Sequence, residues 1–210
     1  MRRTKEDAEK TRNAILLSAE TLFFEKGVAH TSLEQIAKHA SVTRGAIYWH
    51  FKDKSHLFHA MVSQVQLPPE QLVEQLNTRC PNAPLWALRD MCIEVITELG
   101  RDPQRKRIYT ILIHQCEFTA EHREAQERYR TLVRQYVEAI QALFTSAAKE
   151  LQPGVDPRMA ATALYVLVAG LLNDRTNSPG LFDAETDTSE LIDLLFRGLV
   201  RDWNRLKSQC

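Results

Sequence analysis

The sequence has little of what marks a membrane or secreted protein. The longest near-continuous apolar run of the 210 residues, Met159 to Leu172, has 14 residues, fewer than the roughly 18 to 20 that cross a bilayer. The four cysteines show no CxxC spacing, and no secretory leader precedes them. We therefore expect a cytoplasmic protein that has no membrane partner.

Catalytic and metal-binding motifs are also missing. The chain contains no GxSxG, no HExxH, no Walker loop and no GxGxxG after a strand. His56-x-x-His59 and His114-x-Cys116 each lack the second pair that a zinc site needs. The acidic stretch 183–190 lacks the central glycine of a calcium loop. We expect no enzymatic activity, no metal and no cofactor.

Charge of one sign is not in excess either, because the formal net charge is zero. That balance argues against a protein that binds nucleic acid over its whole surface. Residues 1–56, however, hold ten Lys and Arg against seven Asp and Glu. This local excess favours DNA at the N-terminal end.

Helical patterns fill the chain, and no strand pattern appears. Thr4 can cap a first helix that Lys26-Gly27 closes, and Pro68-Pro69 starts a new one. Further helices are predicted near 69–79, 84–100, 104–117, 119–151, 157–175 and 187–206. The expected fold is all-α, with a three-helix DNA-binding domain at 1–56 and a larger helical domain for ligand binding and dimerisation at 57–210.

Residues 31–54, TSLEQIAKHASVTRGAIYWHFKDK, have the pattern of a helix-turn-helix. Thr31-x-x-Glu34 has the spacing of a capping box for the first helix, and Thr43 can cap the second. On that second helix Ile47 and Phe51 lie four apart and are predicted to face the core.

Another face of the second helix carries hydrogen-bond donors and no acid. Arg44 and Tyr48 share that face, and Gly45 costs helix propensity but lets the backbone approach a groove. Lys54 lies in the first turn of the next helix, where a cation opposes the helix dipole unless a phosphate lies between them.

With VTRGAIYWHFKDK and HQCEF, the chain resembles the TetR family of bacterial repressors and, more narrowly, its AcrR, TtgR and NalD type, which regulates multidrug efflux pumps. The resemblance implies DNA contacts at seven positions: Thr31, Thr43, Arg44, Tyr48, Trp49, His50 and Lys54. Arg44 suits the guanine edge, and Tyr48, His50 and Lys54 suit phosphates. Trp49 is either a core aromatic residue or a contact.

The larger domain would then bind an effector. Apolar residues at helical spacing, with a few polar ones, can be plain core or pocket lining. The resemblance favours a pocket with Met61, Val65, Met91, Cys92, Val95, Tyr109, Ile113, Glu117, Tyr165, Val168 and Asn173.

The last two helices are the candidates for a homodimer, because they carry more apolar surface than one packing face needs. The residues concerned are Ala161, Leu164, Val168 and Leu171 on one helix, and Leu191, Leu194, Leu195, Leu199 and Val200 on the other. The alternative is an all-buried core helix.

The implied function is a ligand-responsive repressor that binds a palindromic operator as a dimer and is released by a hydrophobic small molecule, controlling a multidrug efflux operon. One alternative is a TetR-like regulator of lipid or central metabolism that answers to an acyl compound. Another is control by a protein partner that competes with DNA at the DNA-binding domain.

Overall fold

The computed structural model describes residues 5–65, 69–115, 123–177, 181–183, 185–207 and 210. Its helices are α1 (Lys5–Lys26), α2 (Leu33–His39), α3 (Arg44–His50), α4 (Lys54–Val62), α5 (Pro69–Arg79), α6 (Pro84–Arg101), α7 (Pro103–His114), α8 (Arg123–Ser146), α9 (Pro157–Asn177), α10 (Asp187–Leu199) and α11 (Trp203–Lys207). Across the described ranges no β-strand occurs. The prediction of an all-α fold is confirmed.

The chain divides into two compact units, one of residues 1–66 with 104–128 and one of residues 67–103 with 129–210. We call them the reader unit and the body unit. The reader unit therefore extends beyond the expected boundary at residue 56 and takes in α4 and α7. Helix α4 packs into the core of this unit through buried apolar residues, among them Leu57 and Met61. The assignment of DNA binding to 1–56 and ligand binding to 57–210 stays a prediction.

The first helix supplies the core of the reader unit. The apolar face of α1 is buried and consists of Ile15, Leu16, Ala19, Leu22 and Phe23. The helix ends at Gly27, whose φ of +83° is reached by glycine without strain and whose N–H donates to the Phe23 carbonyl at 3.0 Å. Thr4, the expected cap, lies outside the described residues.

In the body unit α6 packs against α5, α9, α10 and α11. A partly buried ion pair joins two of these helices, because the Arg89 guanidinium donates to both carboxylate oxygens of Asp193 at 2.8 and 2.9 Å. The same guanidinium lies 4.9 Å from the centre of the Trp86 ring. The geometry is bidentate, which fixes α10 on α6 in one orientation.

The helix predicted over 187–206 is two helices, so that prediction was wrong. After α10, Val200 forms an isolated bridge with Leu151, and Arg201 donates its N–H to the Glu150 carbonyl at 2.7 Å. Asp202 then takes a φ of +41° before α11 begins. The apolar residues Val200, Trp203 and Leu206 keep helical spacing through the break, which is why the sequence pattern did not reveal it.

Two cysteines that are far apart in the sequence meet in the body unit. Cys80, after α5, is joined to Cys210 by a disulfide, and their Cα atoms are 5.3 Å apart. Cysteine spacing along the chain contained no sign of this pair.

The described residues include no helix that is long and apolar enough to span a membrane. The same residues include no group of three or more His, Cys, Asp and Glu side chains that could hold a metal ion.

Candidate nucleic-acid interface

The helix-turn-helix begins with a capping box one residue later than expected. The Ser32 hydroxyl accepts from the Gln35 N–H at 3.2 Å, and the Gln35 side-chain oxygen accepts from the Ser32 N–H at 2.8 Å. The predicted box of Thr31 and Glu34 was therefore wrong. Thr31 is 1% exposed, and its hydroxyl donates towards the carbonyls of Leu22 and Gly27, at 3.2 and 2.9 Å.

The expected DNA contact of Thr31 stays a prediction. Its hydroxyl lies inside the reader unit and is hydrogen-bonded to the end of α1. Thr31 thus fixes the loop between α1 and α2.

The second helix of the motif, α3, is capped as predicted. The Thr43 hydroxyl accepts from the Ala46 N–H at 3.2 Å. Ser41, at a φ of +54°, forms the turn before it. Ile47 and Phe51 are fully buried, so they fix which face of α3 points outward.

The outward face of α3 presents Arg44, Tyr48 and Trp49. Tyr48 is 47% exposed and Trp49 is 73% exposed, so Trp49 is not a core residue. The Arg44 guanidinium donates to the Tyr48 hydroxyl at 3.3 Å and lies 5.6 Å from the centre of its ring. This hydrogen bond raises the pKa of Arg44 above its ordinary value, so the group stays a cation.

His50 lies beside this face and is half-buried. Its ring meets the Trp49 ring edge-to-face, with centroids 4.5 Å apart. Gly45 is exposed in the first turn, and a Cβ built on it would lie 3.8 Å from Thr43 Oγ1. Internal packing would therefore admit a methyl group at this position.

Lys54 is held by the reader unit itself. Its ammonium donates to the carbonyls of Val28, Ala29 and Thr31 at 2.7, 3.3 and 3.0 Å. A lysine ammonium has three N–H groups, so these acceptors can take all of them. The expected phosphate contact of Lys54 stays a prediction, and in this structure its ammonium ties α4 to the loop after α1.

A link between α1 and α7 was missed from the sequence. Glu20 is buried on α1 at 1% exposure and accepts from Arg107 and Gln104 of α7. The sequence did indicate that Glu20 needs a partner, because this residue falls among the apolar positions of α1, where burial of an unpaired acid is costly. No nearby residue indicated which side chains would pair with it.

The expected effector residues lie in both units. Met61 and Tyr109 are buried in the reader unit and Val65 and Ile113 are half-buried there, while Glu117 lies outside the described residues. Burial raises the pKa of the Tyr109 hydroxyl, whereas Arg105 acts to lower it.

The remaining effector residues belong to the body unit. They are Met91, Cys92 and Val95 on α6 and Tyr165, Val168 and Asn173 on α9. Helices α6 and α9 pack together, Met91 and Cys92 are buried, and Asn173 is exposed. An open cleft of about 450 Å³ elsewhere in this unit is lined by residues that are not among the expected effector contacts: Gln152, Arg197, Val200, Asp202, Trp203, Asn204 and Arg205.

A capped helix-turn-helix with an outward cationic and aromatic edge, joined to a larger helical unit, defines a DNA-binding regulator. Comparison with known proteins gives its family. Residues 15–61 match "Bacterial regulatory proteins, tetR family", and residues 83–200 match "MAATS-type transcriptional repressor, C-terminal region". The chain belongs to the TetR family of bacterial transcriptional regulators.

Three relatives cover nearly the whole chain. TtgR of Pseudomonas putida, an HTH-type transcriptional regulator, is 35% identical over 195 residues, which are 92% of this chain and 93% of that protein. The structure of NalD, the secondary repressor of the MexAB-OprM multidrug efflux pump in Pseudomonas aeruginosa, is 53% identical with a TM-score of 0.88 and covers 94% of this chain and 100% of its own.

The third relative is solved with a small molecule bound. A complex of SmeT with triclosan is 33% identical with a TM-score of 0.82, covering 92% of this chain and 93% of its own. SmeT is the repressor of the Stenotrophomonas maltophilia multidrug efflux pump SmeDEF.

Proposed function

We propose that this protein is a cytoplasmic repressor that binds a palindromic operator as a homodimer, is released by a hydrophobic small molecule and controls a multidrug efflux operon. The observation that carries the proposal is the exposed Arg44–Tyr48 edge of a helix that contains no acid. The likeness to NalD and SmeT supports the efflux operon as the target, and the triclosan complex of SmeT supports the kind of effector.

The DNA contacts of the proposal come from α3 and its cap. Arg44 would read a guanine, since its guanidinium matches the O6 and N7 acceptors of the major-groove edge. Thr43, Tyr48 and His50 would meet phosphates and set the register of the helix. Trp49, which is 73% exposed, adds an apolar surface that a thymine methyl group or a sugar can cover.

The dimer of the proposal uses the outward faces of α9 and α10. The body unit itself buries Ala161, Leu164, Leu171 and Val200, so the proposal places the contact on their exposed neighbours. Met159 and Val166 on α9 and Leu194 on α10 are more than half exposed. Gly170 and Gly198 have no atom within 4 Å of a built Cβ, so a second helix can approach closely at both.

A dimer also explains how a short motif achieves specificity. One α3 makes few base contacts, whereas a two-fold axis places two such helices on half-sites about 34 to 36 Å apart. The effector would act on that separation and must bind the released state more tightly than the bound one.

The effector site of the proposal includes the side chains that α6 and α9 contribute in the body unit. Met91, Cys92 and Val95 are apolar, and Tyr165 adds a hydroxyl beside Val168. Burial raises the pKa of the Cys92 thiol to about 12, so it stays a neutral, apolar lining group at physiological pH.

The test is release from DNA. A labelled promoter fragment of the protein's own operon is titrated by fluorescence anisotropy, and triclosan or a long-chain acyl-CoA is then added to the complex. We expect two protomers per palindrome and release by triclosan. Release by acyl-CoA alone would favour the metabolic regulator instead, and absence of operator binding at low ionic strength would contradict the whole proposal.

A further inference from the structure

The pairing of Cys80 with Cys210 is not explained by operator binding or by an effector. The two residues are 130 positions apart, and both lie in the body unit. Their Cα separation of 5.3 Å falls within the roughly 4.4 to 6.8 Å that a disulfide requires. The folded chain therefore brings two thiols to bonding distance without movement of the backbone.

The surroundings of the two sulfurs differ. Cys80 is 1% exposed and is fixed in the turn between α5 and α6, where its N–H donates to the Leu76 carbonyl and its own carbonyl accepts from the Ala83 N–H. Cys210 is exposed. A dissolved oxidant can thus reach the thiol of Cys210. The buried thiol of Cys80 can then attack the oxidised sulfur of Cys210.

Helix α11, which precedes Cys210, is packed on α6 by aromatic rings. Trp203 of α11 is 5% exposed. Its ring centre is 4.7 Å from that of Trp86 and 4.8 Å from that of Phe196. These contacts hold α11, which ends three residues before Cys210, and this short tether raises the effective concentration of one thiol at the other.

Cys92, the third described cysteine, serves as an internal control for reaction with an oxidant. Cys92 is buried and free, and burial raises its pKa to about 12. Because the thiolate is the reactive form, Cys92 should not react with an oxidant that modifies the pair.

We propose that Cys80 and Cys210 form a reversible thiol–disulfide site, at which a hydroperoxide joins Cys210 to the turn between α5 and α6. The Cys210 thiolate attacks the peroxide, the O–O bond breaks, and an alcohol or water leaves as Cys210 becomes a sulfenic acid. The Cys80 thiol then displaces water from that sulfur. In sum two thiols and one hydroperoxide give one disulfide, one alcohol and one water.

Reversal uses a dithiol or glutathione as the reductant. Thiolate attack on the disulfide gives a mixed disulfide, a second thiolate resolves it, and both cysteines return to thiols while the reductant is oxidised. A disulfide in a protein of a reducing compartment is usually of this transient kind. The site goes beyond the proposed function, because neither operator nor effector takes part in it.

The experiment uses the full chain. Protein reduced with dithiothreitol and freed of it is treated with hydrogen peroxide, alkylated and digested without reduction. We expect one cross-linked pair of peptides, carrying Cys80 and Cys210, with Cys92 alkylated only after unfolding. Dithiothreitol, and glutathione at the reducing ratio of growing cells, should restore both thiols.

The variant Cys210→Ser removes the pair at an exposed position and leaves the interior intact, whereas Cys116→Ser removes a thiol outside the pair and is the matched control. Oxidised wild type and Cys116→Ser should melt several degrees above their reduced forms, because the disulfide closes a long loop. Cys210→Ser should show no such difference.

Three results would overturn the proposal. They are a cross-link to another cysteine, a disulfide between two chains that persists in Cys80→Ser, and a bond that cellular glutathione cannot reduce. Each is read from the same peptide map, and none depends on operator binding.

Discussion

Arg107 donates from Nε to a carboxylate oxygen of Glu20 at 2.7 Å, and this bond ties α7 to α1 within the reader unit. The Glu20 side chain is 1% exposed, whereas that of Arg107 is 41% exposed. The Gln104 amide donates to the other oxygen at 2.9 Å. A buried carboxylate of the first helix is thus satisfied by side chains 84 and 87 positions later in the chain.

Arg107→Ala should destabilise the protein by about 2 kcal/mol, because it leaves the Glu20 charge buried without the guanidinium that pairs with it. Partial exposure of Arg107 keeps the cost below that of a fully buried pair. Glu20→Gln in the same chain should recover most of the loss. Urea unfolding measures both, with Lys106→Ala as the control that removes a neighbouring cation of α7. A cost that Glu20→Gln does not reduce would contradict the pairing.

Local rules predicted the parts of the site that depend on adjacent residues. Thr43 caps α3 because its hydroxyl can accept from the backbone N–H three residues later. Ile47 and Phe51 lie about one helical turn apart, so both face the core. Both facts are contained in a few letters of sequence. The outward Arg44–Tyr48 edge follows from them, since only the opposite face of α3 is left.

The rest depended on contacts across the fold. Thr31 and Ser32 can both cap a helix, and the choice was made by the carbonyls of Leu22 and Gly27, which take up the Thr31 hydroxyl. Lys54 likewise looked available for a phosphate until the loop after α1 supplied its three acceptors. No spacing rule gives partners that lie 9 to 26 positions apart.

Arg44→Ala should cost about 1 to 3 kcal/mol of operator binding and relax the preference at one base pair, because a bidentate contact to a guanine is lost. Fluorescence anisotropy with the operator and single-base variants measures the effect. Tyr48→Phe is the control for selectivity, since it keeps the ring beside Arg44 and removes only the hydroxyl; loss of a phosphate contact should weaken binding to all operator variants alike. Unchanged affinity and selectivity in Arg44→Ala would exclude the base contact.

Gly45→Ala should separate stability from binding. The new methyl group has room in the free protein, and alanine favours a helix over glycine by up to about 1 kcal/mol. We therefore expect a higher melting temperature together with weaker operator binding, since the methyl group would lie between α3 and the groove. If affinity is unchanged while stability rises, the backbone does not approach DNA at this turn.

Lys54→Ala should lower the free energy of unfolding by about 1 to 3 kcal/mol, because three carbonyls lose a charged donor. The salt dependence of DNA binding by the folded fraction should keep its slope. Lys52→Ala, which changes an exposed lysine two residues before Lys54, should alter stability by less than about 0.5 kcal/mol. A variant of Lys54 that is as stable as wild type but has a flatter salt slope would return this residue to the phosphate contacts.

Leu194→Glu should weaken the dimer, because Leu194 is 57% exposed on α10 and a two-fold axis through that face would bring both new carboxylates into one apolar interface. Desolvating them costs about 2 to 4 kcal/mol, so sedimentation should find monomers at concentrations where wild type is a dimer, and operator affinity should fall with them. Leu181→Glu is the matched control: Leu181 is 89% exposed outside both helices, so its variant should sediment as wild type. If Leu194→Glu also remains a dimer, the contact between protomers lies on another face of the body unit. The new carboxylate would then be hydrated, which is possible only outside the interface.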